Sequence, residues 1–201
     1  MRGTRPYGPT AFVLECPEAG EAVDLHLSLR VAPLPGVVQT IPGAASLLVE
    51  CASVEAARDA QRVLASRAAI RVERDAREHV VEVTYDGPDL EVVARHAGLS
   101  VDEVVDLHSS AVCSVALTGF APGFAYLAGL PAVLATPRRA DPRPSVPAGS
   151  VAIGGPWTGV YPRRGPGGWN LLGTTSAALW DLSRETPAVL QVGDTVRFRA
   201  V

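Results

Sequence analysis

Two hydrophobic rhythms divide this chain of 201 residues. In the first 85 residues, period-two and helical patterns take turns. Thr10 to Cys16 (TAFVLEC) alternates as a strand does. Ala19 to Val31 sets Ala22, Leu25 and Leu29 on one helical stripe, with His26 beside them. Val37 to Ile41 reads as a short strand, and Ile41-Pro42-Gly43 as a turn. Ala45 to Cys51 (ASLLVEC) is a further strand. A helix follows from Val54 to Ala69, with Ala57, Ala60, Leu64 and Ala68 near helical spacing. In His79 to Tyr85, Val81, Val83 and Tyr85 share one face of a strand. The order β-α-β-β-α-β is that of the ferredoxin-like split unit. It is assigned to residues 1–85.

Tyr85-Asp86-Gly87-Pro88-Asp89 interrupts the pattern and marks the expected boundary. Two short helices follow. Asp89 to Ala97 is stopped by Gly98, and Ser100 to Leu107 starts with a capping box of Ser100 and Glu103. Beyond Ser109 the apolar segments shorten, and glycine and proline separate them. Val112–Leu117, Ser150–Ile153, Val189–Val192 and Thr195–Phe198 are the β-prone pieces. Gly193-Asp194 reads as a tight turn. Residues 86–201 are therefore expected to form a β-barrel with long structured loops. The fold class is α+β.

Composition narrows the chemistry. Hydrophobic residues make up 47% and charged residues 19%, enough apolar material for a sizeable core. No apolar run approaches the roughly 20 residues that cross a bilayer. No apolar segment follows the N-terminal charges, so a cytoplasmic location without membrane contact is expected. Cys16, Cys51 and Cys113 are widely spaced and form no CxxC, so they read as core residues rather than metal ligands. Lysine is absent, which excludes a lysine Schiff base and a phosphate-loop lysine. No GxxxxGK[ST], GxGxxG after a strand, or HExxH is present, so no metal or cofactor site is expected by motif. Charge is also uneven. Residues 1–106 carry 17 acids against 10 arginines, and residues 107–201 four acids against eight arginines. Few aromatics accompany the basic loops, which argues against nucleic acid as a partner.

Four segments carry the candidate chemistry. The first is His108-Ser109-Ser110. His108 is the acid–base candidate because imidazole titrates near neutrality; a histidine satisfied within the core is the alternative. His26, His79 and His96 read as structural. The second is Gly119 to Leu127 (GFAPGFAYL), with Phe120 and Phe124. The third runs from Pro137 through Arg138, Arg139 and Arg143 to Ser150. Its arginines suit a carboxylate or phosphate gripped bidentately, or else a solvated basic surface that docks an acidic partner. The fourth comprises Tyr161-Pro162 and Pro166 to Gly173, with Trp169 and the single asparagine of the chain, Asn170. An indole beside a carboxamide suits a small polar ligand; a barrel corner is the alternative.

The same segments, in this order, resemble a known family. It comprises the B subunit of 5-oxoprolinase, the first subunit of allophanate hydrolase and the sporulation kinase inhibitor that shares their fold. LHSS, GFAPGFAYL, the PRR to VPAGSVAIGG stretch, TGVYP, PGGWNLLG and the terminal VGDTVRF carry the resemblance over nearly the whole chain. It implies a ferredoxin-like first domain and a cyclophilin-like β-barrel second. It implies the B subunit of an ATP-dependent 5-oxoprolinase, hydrolysing 5-oxo-L-proline to L-glutamate together with homologous C and further A subunits. ATP is then expected for the complex, with no recognisable ATP motif on this chain. The resemblance carries the site over without individual roles; taken with the positive excess of the C-terminal half, the expectation is that His108 moves a proton, that the arginines, including Arg138 and Arg143, hold a substrate carboxylate or phosphorylated intermediate, and that Trp169 and Phe124 wall the ring. Phe120 and Tyr161 also match, with Phe120 the expected anchor. Two other roles follow from the same family: inhibition of a sensor histidine kinase, and a part in urea or allophanate degradation. At Trp157 and Thr174 the chain departs from the family pattern, which commonly has glutamine and arginine there.

Overall fold

The structure is a computed structural model that describes residues 2–17, 20–66 and 76–201. The chain divides into two compact units, residues 1–75 and 76–201. The division falls before the strand expected to complete the first domain, not after it, so the expected boundary at residue 85 moves to 75.

In the first unit, β1 (Thr4–Pro6), β2 (Ala11–Glu15), β3 (Val37–Pro42) and β4 (Ser46–Cys51) form one antiparallel sheet in the order β1-β2-β4-β3. Helices α1 (Glu21–Val31) and α2 (Val54–Leu64) belong to the same unit. Alternation decides which side chains go inward: Phe12 and Leu14 on β2, Leu47 and Val49 on β4. They join Leu25 and Leu29 of α1 and Ala57, Ala60 and Leu64 of α2 in one core. Each large aliphatic side chain so buried contributes about 1.5–3 kcal/mol. Ser53 caps α2 by accepting the Ala56 amide at 3.1 Å. The expected continuation of α2 to Ala69 stops at Leu64, and 67–69 lie outside the described residues. His26 is held by Thr40, Nδ1 to Oγ1 at 2.8 Å.

The strand expected to close this sheet does not join it. It is β5 (Glu78–Val83), and it pairs in parallel with the last strand of the second unit. Beside β2, the edge place belongs to β1, a three-residue strand too short and polar for the periodicity to reveal.

The second unit continues through α3 (Leu90–Ala97), α4 (Val101–Ser110), β6 (Val112–Thr118), β7 (Ala125–Ala128), a 3-10 turn (Ala132–Leu134), β8 (Arg143–Val146), β9 (Ser150–Gly154), β10 (Trp157–Val160), β11 (Gly165–Gly167), β12 (Asn170–Thr174) and β13 (Thr195–Ala200). Seven strands form one sheet in the order β12-β9-β10-β7-β6-β13-β5. Its two ends meet. Thr84, next after β5, and Thr174, the end of β12, exchange both backbone hydrogen bonds at 2.9 Å, so the sheet curls into a nearly closed barrel. The seam requires glycine: a Cβ on Gly173 would lie 2.2 Å from the Thr84 carbonyl oxygen. Strands β8 and β11 make a separate two-stranded ribbon.

The helical signals of this unit hold. Gly98 ends α3 in the left-handed region at φ 69°, and Ser100 and Glu103 form the expected capping box of α4. The strand expected over Val189–Val192 is absent; this stretch is irregular, beside a lone bridge between Trp180 and Ala188. Among the described residues no helix is long and apolar enough to cross a membrane.

Candidate functional site

Asp89 precedes α3, where an aspartate ordinarily caps the helix with its side chain. Here it makes no cap bond. Its carboxylate turns instead to β12 and the arginine loop. Oδ2 accepts the Leu171 amide at 2.7 Å, and Oδ1 accepts Arg143 Nη2 at 2.9 Å and Arg139 Nη1 at 3.2 Å. Asp89 is only 2% exposed. Burial opposes its ionisation, but the Arg143 and Leu171 hydrogen bonds and the charges of Arg143 and Arg139 hold its carboxyl below the usual range. Two guanidinium groups thus share one carboxylate, leaving a local excess of positive charge.

The rest of the loop is fastened by backbone bonds. The Arg139 amide donates to the Gly168 carbonyl at 2.8 Å, and Asn170 Nδ2 donates to the Pro137 carbonyl at 2.9 Å. The Arg138 guanidinium lies 5.8 Å from the Trp169 ring centroid, a cation–π arrangement. Beside the loop opens a cleft of about 420 Å³, lined by Val92 and His96 of α3, by Thr136 to Asp141, and by Asn170. Of the residues expected at a site, Arg138 and Asn170 are on this cleft. Arg139 joins them, and so does His96, which sequence had placed among the structural histidines.

Trp169, Tyr161 and Phe124 lie behind the cleft as a packed aromatic cluster. Phe124 is 5.4 Å from both Trp169 and Tyr161, edge to face. All three are buried. Burial pushes the Tyr161 phenol up, against the opposing effects of a Trp169 backbone hydrogen bond and the Arg138 charge.

Two expectations are reversed. Phe124, expected as a ligand wall, is the buried anchor, whereas Phe120 is 59% exposed. Phe120 is also the one non-glycine residue among those described with positive φ, at 69°. A left-handed side chain costs about 1–2 kcal/mol. A three-residue turn centred on Phe120, with the Ala121 N–H donating to the Gly119 carbonyl at 2.8 Å, holds it there. Phe120 lines a second hollow with Pro122, Gly123 and Trp180.

His108 is the larger correction. It is fully enclosed inside the barrel unit, stacked 4.5 Å from Phe198, and faces neither hollow. Thr158 Oγ1 donates to the Ala152 carbonyl at 3.0 Å, so it accepts from His108 Nε2 at 2.9 Å. The Tyr85 hydroxyl therefore donates to Nδ1 at 2.7 Å. Burial lowers its pKa to about 3, leaving a neutral imidazole with both nitrogens engaged. That is the satisfied core histidine, and the proton-transfer assignment falls. Asp89 is the residue the sequence reading missed. Its signal was an acid in a Pro-Asp turn, facing arginines 50 and 54 positions away.

Residues 2–190 match the family model for the carboxyltransferase domain, subdomains C and D, and the chain belongs to that family. A protein of Escherichia coli O157:H7 named as the B subunit of 5-oxoprolinase is 46% identical, over 98% of this chain and 96% of its own length. One of the same name from Bacillus subtilis (strain 168) is 39% identical over 83% of this chain and 76% of its own length. Among solved structures, TTHA0988 is 38% identical with a TM-score of 0.78; it matches 99% of this chain, which spans 40% of that one. A conserved uncharacterized protein from Pyrococcus horikoshii is 32% identical, with a TM-score of 0.60, over 99% of this chain and 97% of its own. The urea amidolyase of K. lactis shares the fold at 17% identity and a TM-score of 0.76, over the whole of this chain and 15% of its own.

Proposed function

We propose that this chain is the B subunit of an ATP-dependent 5-oxoprolinase. The observation that carries the reading is the near full-length, 46% identical match to a relative of that name. The cleft supports it chemically. 5-Oxoproline presents one carboxylate on a small polar ring, and Arg138 and Arg139 line a hollow of that scale with Asn170 beside them. A hydrogen bond to a charged group contributes about 1.5–3 kcal/mol, so two such contacts would add about 3–6 kcal/mol to the binding of a monoanion.

In this reading the chain supplies the carboxylate-binding wall. A lactam is stabilised by resonance, and its hydrolysis to glutamate needs the coupling that ATP provides by activating the amide oxygen. That step, ATP binding included, belongs to the complex with the A and C subunits, in the cytoplasm. A ferredoxin-like first unit and a cyclophilin-like second unit are part of the same reading; the antiparallel first sheet and the closed second sheet support them.

Reconstitution tests it. Mixed with candidate A and C subunits, the chain is expected to copurify with C and to restore ATP-dependent release of glutamate from 5-oxoproline. A complex that assembles with no such turnover removes the reading.

A further inference from the structure

We propose that Asp89 is a positioning residue, which fixes Arg139 in the wall of the cleft and so sets the site's grip on an anionic substrate group. Three observations converge on it. Its carboxylate is buried at 2% exposure, an arrangement that costs free energy unless a specific geometry repays it. It has given up the helix cap its place offers, although it stands at the start of α3. Its two oxygens join three separate parts of the unit: the start of α3, the arginine loop through Arg139 and Arg143, and β12 through the Leu171 amide.

Arg139 is the member of this cluster that lines the cleft, while Arg143 braces from behind at the start of β8. Arg139 Nε and Arg143 Nη1 are buried without a hydrogen-bond partner among the described residues. Among the described residues the side-chain hydrogen bonds of both guanidinium groups go to Asp89, which therefore sets their direction. Asp89 does not itself line the cleft; it acts through Arg139.

The role in substrate grip rests on the 5-oxoprolinase reading, but the positioning itself has an independent readout. In Asp89→Asn the carboxamide keeps the shape and one acceptor while losing the charge. Modification of Arg139 by phenylglyoxal, followed by peptide mass spectrometry on the full chain, is expected to speed up at least threefold. In the reconstituted complex, the KM for 5-oxoproline is expected to rise at least tenfold with kcat within about twofold. A general loosening of the fold would lower kcat along with the amount of active complex. If Asp89→Asn itself folds poorly, the charge-balanced Asp89→Asn/Arg143→Gln variant is subjected to the same modification assay. An unchanged Arg139 reactivity in a folded variant overturns the positioning role. Faster modification beside an unchanged KM overturns its link to substrate. If the wild-type complex lacks 5-oxoproline turnover, the function reading fails, and the modification rate still decides the positioning.

Discussion

The Tyr85 hydroxyl and His108 Nδ1 stand 2.7 Å apart inside the second unit, and this bond fixes the histidine as an acceptor at that nitrogen. Together with Thr158 it completes a chain of hydrogen bonds that ends on the Ala152 carbonyl. Removing the hydroxyl leaves a buried acceptor without its donor. Tyr85→Phe is expected to destabilise the unit by about 1–3 kcal/mol, read as a lower denaturation midpoint. Turnover per folded complex should stay at the wild-type level, because neither residue lines the cleft.

The same histidine gives acid sensitivity of defined sign. It stays neutral in the folded state down to pH about 3, whereas its unfolded pKa is 6.5. Between these values the unfolded chain binds the extra proton, so stability present at pH 7 is lost as pH falls. One group in this window contributes a slope of up to about 1.4 kcal/mol per pH unit. Urea unfolding at pH 7 and pH 5 measures it, and His108→Leu should flatten the difference.

At the seam, Gly173→Ala places a methyl group against the Thr84 carbonyl, where backbone rather than a pliable side chain must yield. The expected cost is about 3 kcal/mol, the upper end of what overpacking usually exacts. Hydrogen exchange should show the Thr84 and Thr174 amides losing protection before those of β9 and β10.

Arg138 is held over Trp169 and borders the cleft. Arg138→Ala is expected to weaken 5-oxoproline binding by about 1.5–3 kcal/mol, roughly ten- to 150-fold. Titration calorimetry on the complex measures this. Phe120→Ala, by contrast, should leave that affinity near the wild-type value.

Local signals were legible wherever the deciding contacts are local. The capping box at Ser100, the stop at Gly98 and the alternation in β2 and β4 each depend on neighbours a few residues away. Allegiance between units was not legible. The sequence His79 to Val83 specifies a strand, but its partner is β13, more than 100 residues later. A β-α-β-β-α-β order in sequence says nothing about that choice. The site divides in the same way. Arg138 and Asn170 announced themselves by residue type and by the resemblance. Phe120 and Phe124 exchanged roles because a φ of 69° at Phe120 turns its side chain outward, a conformation composition does not encode. His108 looked chemical beside the two serines, yet its partners Tyr85 and Thr158 come from 23 and 50 positions away. Asp89 was hidden for the same reason.

The insertion of β13 between β6 and β5 also bears on how this chain is made. During synthesis β5 emerges early, and among the described residues its strand-length partner is the element spanning residues 195–200. Until that element leaves the ribosome, β5 presents an unsatisfied edge, and the barrel lacks the piece that joins β5 to β6. Pairings of such long range are slow to form, and they expose apolar strands while they wait. The sheet of the second unit therefore cannot close before residues 195–200 are made, and a ribosome stalled before residue 195 carries a sheet open at β6.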